Sequence, residues 1–462
     1  MLPELWPELG VEAEDYEQNL RARLFEDPGY DEGNFLSGNE AVNSLFWTGS
    51  FGKLNHLDQL AKDEDIYVID GLASTARRYE MSETLTAFYV STELNLGRRI
   101  TFQPGVRYES FNTDYLAYKG IQTGWRVWNY YSEPVTGKRK SDQWFPQIHL
   151  RIKPAEWFDI RLASTRSLIR PDYRAYSPYS YYAGVSAQPS LQIGNINIKP
   201  SISNNLDLYV SVYNNTIGLF TAGGFYKEID NIITPLRFHT SDNGDIDNQY
   251  ELGGIMTVVD TWINVNEKPT IVRGFELDWQ TNFWYLPSIF KGIVLNVNYT
   301  RLFSETVYPY DVFYKDPDNI FARGVFVDSS RTGRMPHQPN DVLNLTLGYD
   351  LGGLSARLSF LFQGQMLGTG AAGETAGNIR GSSSRMGHTA IGIRPELDPY
   401  TDDYYRWDLT VQQKLPWEGF QLYFNANNLS NSIDQQSLSI LGKLKAREYY
   451  GRTFDLGIRY RF

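Results

Sequence analysis

The chain has 462 residues, no cysteine, a formal net charge of −11 at pH 7 and an aromatic content of 15%, with 32 Tyr and 11 Trp. The negative charge argues against a nucleic acid as a partner, and the absence of any run of about 18 uncharged apolar residues excludes membrane-spanning helices. Abundant Tyr and Trp favour surfaces where one end of a ring is apolar and the other is wet.

Residues 1–79 show no convincing pair of strands. Tyr16, Leu20 and Leu24 recur at every fourth position, which allows one short helix before Pro28. The first residues have no basic start and no apolar run, so we expect no signal peptide here. We predict that 1–79 is a loop region preceding the first strand and that the strands occupy 80–462.

Alternating apolar and polar residues then predict strands through the first half of the remaining chain. The first run, from Glu80 to Leu96, is the noisiest. Clearer runs follow at 102–108, 148–152, 158–162, 206–212, 218–238, 275–279 and 293–299. Each run has one apolar face and one polar face, as a half-buried strand requires.

The C-terminal half contains the clearest hairpins. Residues 343–349 and 354–362 alternate on either side of Gly352 and Gly353, with Leu361 as the one exception. Residues 407–411 and 420–426 alternate on either side of the turn 416–419. The final strand places apolar or aromatic residues at every second position. These are Phe454, Leu456, Ile458, Tyr460 and Phe462.

Long connections separate these hairpins at roughly 118–141, 172–202, 239–267, 309–338, 368–403 and 433–446. All fall on one side of an up-and-down meander of about thirteen strands, with short turns on the other side. Asp455, Arg459 and Arg461 lie between the apolar residues of the last strand. Three charges facing a dry core would be costly, whereas they suit a wet lumen, and the apolar face suits lipid. The pattern predicts an all-β, antiparallel transmembrane barrel.

Several local motifs resemble one family. They are, in chain order, 104–108 (PGVRY), 170–178 (RPDYRAYSP), 195–200 (NINIKP), 205–209 (NLDLY), 223–232 (GGFYKEIDNI), 425–429 (NANNL) and 450–462 (YGRTFDLGIRYRF). Their order and spacing are similar to those of TonB-dependent outer-membrane receptors over about residues 80–462. The final strand, ending on Phe462, resembles the signal by which outer-membrane barrels are recognised for assembly.

The resemblance implies a bacterial outer-membrane protein that takes up a scarce nutrient, with a barrel of twenty-two strands around an N-terminal plug. On this reading 1–79 is an extracellular loop region and 80–462 is the C-terminal part of the barrel. About nine strands, the plug, its TonB box and the signal peptide are then unaccounted for. We expect them from the same gene product or a companion chain, because an open sheet edge in hydrocarbon leaves backbone groups unsatisfied.

The same resemblance implies that outer-loop aromatics contact the ligand. One predicted cluster is Trp125, Trp128, Tyr130 and Tyr131, and the next is Tyr173, Tyr176, Tyr179, Tyr181 and Tyr182. Arg126 and Arg174 beside them could bind an anionic group. Membrane-interface rings or plain loop packing are alternative roles for both clusters. Energy would arrive from the TonB complex through the missing plug, and a surface lipoprotein is a further partner that no residue here predicts.

No residue pattern predicts catalysis, a metal site or a cofactor. The five histidines are scattered without metal-ligand spacing, so we expect a transporter and not an enzyme. Three alternatives stay open. A passive porin-like channel would have no plug sequence upstream, an outer-membrane enzyme would need a catalytic constellation, and a soluble β-rich adhesin or sugar-binding protein would cover its apolar faces with a second sheet.

Overall fold

The computed structural model describes residues 59, 78–123, 129–183, 189–241, 255–265, 267–314, 325–368, 398–438 and 443–461. The chain divides into two compact units, Met1–Ser74 and Thr75–Phe462. All the described residues except Gln59 belong to the second unit. In this part of the chain, no helix has both the length and the apolar character needed to cross a membrane.

The second unit is built almost entirely from strands. In chain order they are β1 (Glu80–Ser91), β2 (Leu94–Leu96), β3 (Ile100–Thr123), β4 (Asn129–Ala155), β5 (Phe158–Ile169), β6 (Ser180–Ala183), β7 (Ser190–Ile193), β8 (Ser201–Asn214), β9 (Gly218–Asp230), β10 (Ile232–Thr240), β11 (Thr257–Val265), β12 (Thr270–Asn282), β13 (Ile293–Tyr314), β14 (Val325–Gly333), β15 (Asp341–Leu351), β16 (Leu354–Gln363), β17 (Met366–Leu367), β18 (Pro399–Thr401), β19 (Tyr404–Lys414), β20 (Phe420–Asn427), β21 (Ile433–Leu438), β22 (Lys443–Tyr449) and β23 (Thr453–Tyr460). A short helix α1 (Tyr173–Tyr176) and a 3₁₀ helix (Ser288–Gly292) complete the described elements.

The main sheet is an antiparallel meander. Its strands pair in the order β1, β3, β4, β5, β8, β9, β12, β13, β15, β16, β19, β20, β23. Short turns connect them at one end. At the predicted turn between β15 and β16, Gly352 and Gly353 both have positive φ, 62° and 83°, which a two-residue hairpin turn of this kind requires. Among the described residues no pairing joins β1 to β23.

One face of this meander, called the outward face below, is apolar and uncovered. Leu347 faces Leu295 on one side and Leu358 on the other, and it is 51% exposed. Phe420 and Leu422 on β20 are also exposed. The opposite face is polar: the Thr346 and Ser359 hydroxyls lie 3.2 Å apart. The alternation predicted from the sequence is therefore present, and the rows that would be sealed in a soluble sandwich are open.

Aromatic residues mark two levels of the outward face. Near the short turns lie the exposed rings of Trp157, Trp284 and Trp417. Further along, Tyr108 and Trp144 pack with their ring centroids 4.8 Å apart. From Trp144 to the end of β4 is about 36 Å of strand, or about 28 Å along the barrel axis at a typical tilt. This spacing is close to the roughly 25 Å apolar band between the aromatic girdles of outer-membrane barrels.

The predicted long connections are more ordered than expected. The expected loop 118–141 is largely strand, because β3 and β4 stay paired up to Thr123 and Asn129. The expected loops at 172–202, 239–267, 309–338, 368–403 and 433–446 contain β6 and β7, β11, β14, β18, and β21 with the start of β22. β10 lies mostly within the predicted run 218–238. Along β4 from Glu133 to Lys140, burial alternates residue by residue although most residue types there are polar. A strand of mostly polar residues carries no hydrophobic alternation, so the sequence pattern could not reveal this part of β4.

Candidate functional site

The best-packed region lies at the long-connection end of the main sheet. Its two buried clusters centre on Leu191 with Val259, and on Tyr115, Tyr176 and Ile198. Here β6 pairs in parallel with β3, and β7 in parallel with β11. Because β6 and β7 also pair with each other, residues 173–183 and 189–200 bridge the extensions of β3–β4 and β10–β11. We call these residues the bridging loop.

The helix α1 anchors the start of the bridging loop. Asp172 caps it by accepting a hydrogen bond from the Arg174 backbone N–H at 2.9 Å. This places the Tyr176 ring against Tyr115, with ring centroids 6.2 Å apart, beside the half-buried Trp262. The packing explains why the short helix persists, because a four-residue helix has little stability of its own.

Asparagine side chains anchor the end of the bridging loop. Asn195 Nδ2 donates to the Trp262 carbonyl at 3.0 Å. Asn264 accepts from the Lys199 N–H at 2.6 Å and donates to the Lys199 carbonyl at 2.9 Å. A side-chain amide can satisfy a backbone N–H and C=O together in this way. The loop is therefore held on β11 by side chains as well as by strand pairing.

A cavity of about 750 Å³ opens beside the bridging loop. Its walls come from the extension of β3–β4, the stretch 193–197, β10–β11 and β14. The His239 and Phe326 rings stack on one wall, with centroids 3.8 Å apart and planes within 7°. Lys119 and Asp328 add charged groups of opposite sign. Stacked rings with a few polar groups are typical of small-ligand sites, so this cavity is the candidate functional site.

The predicted ligand-binding tyrosines lie in the bridging loop, but they differ in exposure. Tyr176 and Tyr179 are buried, Tyr173 is exposed, and Tyr181 and Tyr182 are half-buried in β6. Arg174 stacks over the Tyr179 ring at 5.0 Å. None of these residues lines the cavity. Their contact with a ligand stays a prediction, and their position indicates that several of them shape the loop.

The other predicted cluster is largely outside the described residues. Trp125, Arg126 and Trp128 lie in the stretch 124–128, outside that part of the chain. Tyr130 and Tyr131 belong to β4, but their side chains lie outside the described part of the structure. His239 and Phe326 were not predicted, because they lie on different strands and only the fold brings their rings together.

Arg139 is a partly buried cation in the same region, on the long-connection side of Trp144. Its guanidinium lies 4.4 Å from the centre of the Tyr176 ring, and no carboxylate pairs with it among the described residues. Burial lowers the pKa of Arg139 and raises the pKa of Tyr115 to about 12. A cation over an aromatic face in a desolvated site stabilises the packing by up to about 2 kcal/mol.

A buried ion pair ties two further connections together. Arg331 on β14 donates hydrogen bonds from Nη1 and Nη2 to the two oxygens of the Asp398 carboxylate, each at 2.8 Å. Only 14% of the Arg331 side chain and 6% of the Asp398 side chain are exposed. We expect Asp398→Ala to destabilise this region by about 3–5 kcal/mol because it leaves a buried charge unpaired. Hydrogen exchange of the β14 amides measures this effect. The double variant Arg331→Leu/Asp398→Leu should restore much of the protection of the β14 amides. Equal loss of protection in Asp398→Ala and in the double variant would show that the unpaired charge is not the cause.

The predicted assembly strand is β23. It pairs along its length with β20, so that Leu456 faces Phe424 and Ile458 faces Leu422. Phe454, Leu456, Ile458 and Tyr460 are exposed, Leu456 by 71%. Phe462 lies outside the described residues. The alternation of the strand is present in the structure, and its role in assembly stays a prediction.

Comparison with known proteins identifies the same class of fold. A family profile described as "TonB dependent receptor-like, beta-barrel" matches residues 11–429. The structure is similar to the ferric-catecholate import receptor Fiu of E. coli K12, with 15% identity and a TM-score of 0.51 over 83% of this chain and 45% of that chain. The copper transporter OprC is 13% identical, with a TM-score of 0.50 over 83% of this chain and 48% of that chain. The siderophore receptor PiuA of Acinetobacter baumannii is 17% identical, with a TM-score of 0.49 over 83% of this chain and 44% of that chain.

This chain spans less than half the length of those three proteins. Identities this low support the fold alone. No curated protein matches the sequence.

Proposed function

Because the chain belongs to the TonB-dependent receptor-like β-barrel family, we propose that it forms part of a bacterial outer-membrane importer that takes up a scarce nutrient at the expense of TonB-delivered energy. The observation that carries the proposal is the uncovered apolar face of the meander, on which Leu347, Leu422 and Leu456 are all exposed. Such a face is stable in hydrocarbon, whereas in water a contiguous apolar surface of this size favours aggregation.

The first and last strands of the meander, β1 and β23, each have one edge without a paired strand among the described residues. No described strand pairs with the outer edge of β1 or of β23, and each unsatisfied backbone group would cost several kcal/mol in hydrocarbon. We propose that further strands, from the same gene product or a companion chain, close the barrel between β1 and β23. A plug would then fill the lumen and receive energy from the TonB complex.

Nutrient capture is assigned to the cavity beside the bridging loop. The stacked rings of His239 and Phe326 offer an apolar wall, and Lys119 lies on the same cavity. We propose a ligand that combines a flat or apolar portion with an anionic portion. The rings would pack on the first. The Lys119 ammonium, which lies 3.9 Å from the Glu133 carboxylate, would bind the second.

Uptake by whole cells tests the proposal. Cells with and without the full-length gene are compared for uptake of labelled iron chelates, cobalamin, oligosaccharides and peptides, each with and without a protonophore. We expect at least one of these labels to accumulate only in cells that have the gene and only while the inner membrane is energised. Gene-dependent uptake that the protonophore does not affect would indicate a passive channel. Recovery of the protein in the soluble fraction would indicate a soluble β-rich protein.

A further inference from the structure

The outward face carries a groove centred on Gly224 of β9. It has a volume of about 660 Å³ and an almost entirely apolar lining. Leu206 and Leu208 of β8 form one wall, and Phe275 of β12 forms the other. Gly224 lies directly between Leu208 and Phe275 in the strand register. The groove therefore exists because one residue in an outward row has no side chain.

Gly224 is not required by the backbone. A Cβ added there would have its nearest neighbour, the Gly274 carbonyl oxygen, at 3.6 Å, which is ordinary van der Waals contact. Its neighbour Gly223, whose Cβ would lie 2.2 Å from the Tyr209 ring, is sterically required. A Cβ therefore fits at Gly224, and Gly224 is not among the residues with positive φ, so neither the backbone conformation nor the packing of the sheet accounts for the glycine.

Arg273 stands at the end of the groove nearer the long connections, flanked by Tyr226 and Phe303 in the register. Nine residues separate it from the end of β12 at Asn282, which is about 30 Å of strand. At a typical tilt this is about 23 Å along the barrel axis, near the far edge of an apolar band of roughly 25 Å. Arg273 is exposed there, at the level of lipid headgroups.

The charges around Arg273 leave it available to a ligand. The outward-facing Arg301 is already paired with Asp341. Glu228 and Glu305 lie one row nearer the long connections, and neither forms an ion pair with Arg273 in the described part of the chain. An exposed guanidinium above an apolar groove matches an anionic headgroup above an acyl chain, because Arg binds phosphate oxygens bidentately.

We propose that this groove binds one acyl chain of an anionic, phosphate-bearing lipid, with the headgroup held by Arg273. The inference rests on the proposed membrane location but not on nutrient uptake. The acyl chain of a bilayer lipid is already out of water, so it gains no hydrophobic free energy by entering the groove. Selectivity for one lipid over another therefore comes from the shape of the groove and the charge of Arg273. An unfilled groove would lose dispersion contacts, and the headgroup would offset the cost of a cation at the edge of hydrocarbon.

Native mass spectrometry of the full-length protein, extracted from membranes in mild detergent and titrated with lipid, tests the proposal. We expect phosphatidylglycerol to be retained about tenfold better than phosphatidylcholine of the same chain length, corresponding to one charge-assisted contact of about 1.4 kcal/mol. Gly224→Leu fills the groove and should lower retention of both lipids. Arg273→Gln should remove the preference, and Arg273→Lys should keep part of it.

Ala356→Leu is the matched control, because Ala356 shares the outward face with Leu358 but lies far along the meander from the groove. It should bind lipid as the unmodified protein does. Equal retention of the two lipids by the unmodified protein, or retention that Gly224→Leu does not change, would overturn the proposal. These readouts need no transported nutrient. A protein that retains phosphatidylglycerol selectively but imports nothing would therefore contradict the proposed function and leave this inference intact.

Discussion

Arginine at both Leu347 and Leu456 is expected to abolish assembly of the folded protein in the membrane. Both side chains lie on the outward face, and more than half of each is exposed. An Arg facing lipid near the bilayer midplane of an outer-membrane barrel costs about 2–4 kcal/mol. Two such substitutions together approach the total stability of many domains, about 5–15 kcal/mol. Heat-modifiable migration on gels and surface labelling of intact cells measure the folded fraction.

The matched control places the same two arginines one residue away, at Thr346 and Asp455. Thr346 faces Ser359 and Asp455 faces Asn425, all on the polar face of the meander. We expect this variant to assemble, because a lumen-facing Arg stays hydrated. If the outward double variant assembled as well as the control, the outward face would not contact hydrocarbon, and the importer proposal would fail with it.

The regular part of the sheet could be predicted from the sequence because its two faces meet different solvents. In β15 and β16 the apolar residues of the predicted hairpin face apolar partners, for example Leu345 opposite Phe360 and Leu347 opposite Leu358, except Leu361, which faces Asn344. The turn was predicted because Gly352 and Gly353 lie between two alternating runs, and in the structure both residues have positive φ. Lipid on one side and water on the other impose a period of two on residue type.

The candidate site could not be predicted in the same way. β6 and β3 pair in parallel although Ser180 and its partner Lys119 lie 61 residues apart in the chain, and neither segment alternates in polarity. The aromatic runs were predicted as ligand contacts, but Tyr176 and Tyr179 are buried in the structure. A dense run of tyrosines predicts that rings are needed, but it does not distinguish rings that bind a ligand from rings that hold a loop.

Gly194→Ala is expected to release the bridging loop and disable the candidate site. A Cβ at Gly194 would lie 1.8 Å from the Ser177 carbonyl oxygen, which is backbone and cannot rotate away. The stretch 193–197 lines the cavity, so its displacement would alter the cavity wall. Overpacking of this kind costs about 1–3 kcal/mol. We therefore expect the amides of Ile198 and Trp262 to exchange about tenfold faster or more, since tenfold corresponds to 1.4 kcal/mol.

Gly224→Ala is the control for this variant. The added methyl group meets only ordinary contact, with its nearest neighbour at 3.6 Å, and Gly224 is absent from the cavity lining. Both variants should reach the membrane in normal amounts, because the main meander does not include the bridging loop. Only Gly194→Ala should lower uptake of the nutrient that the whole-cell screen identifies, mainly at concentrations below saturation. Faster exchange at Ile198 with unchanged uptake would separate the bridging loop from ligand capture and remove the cavity from the proposed function.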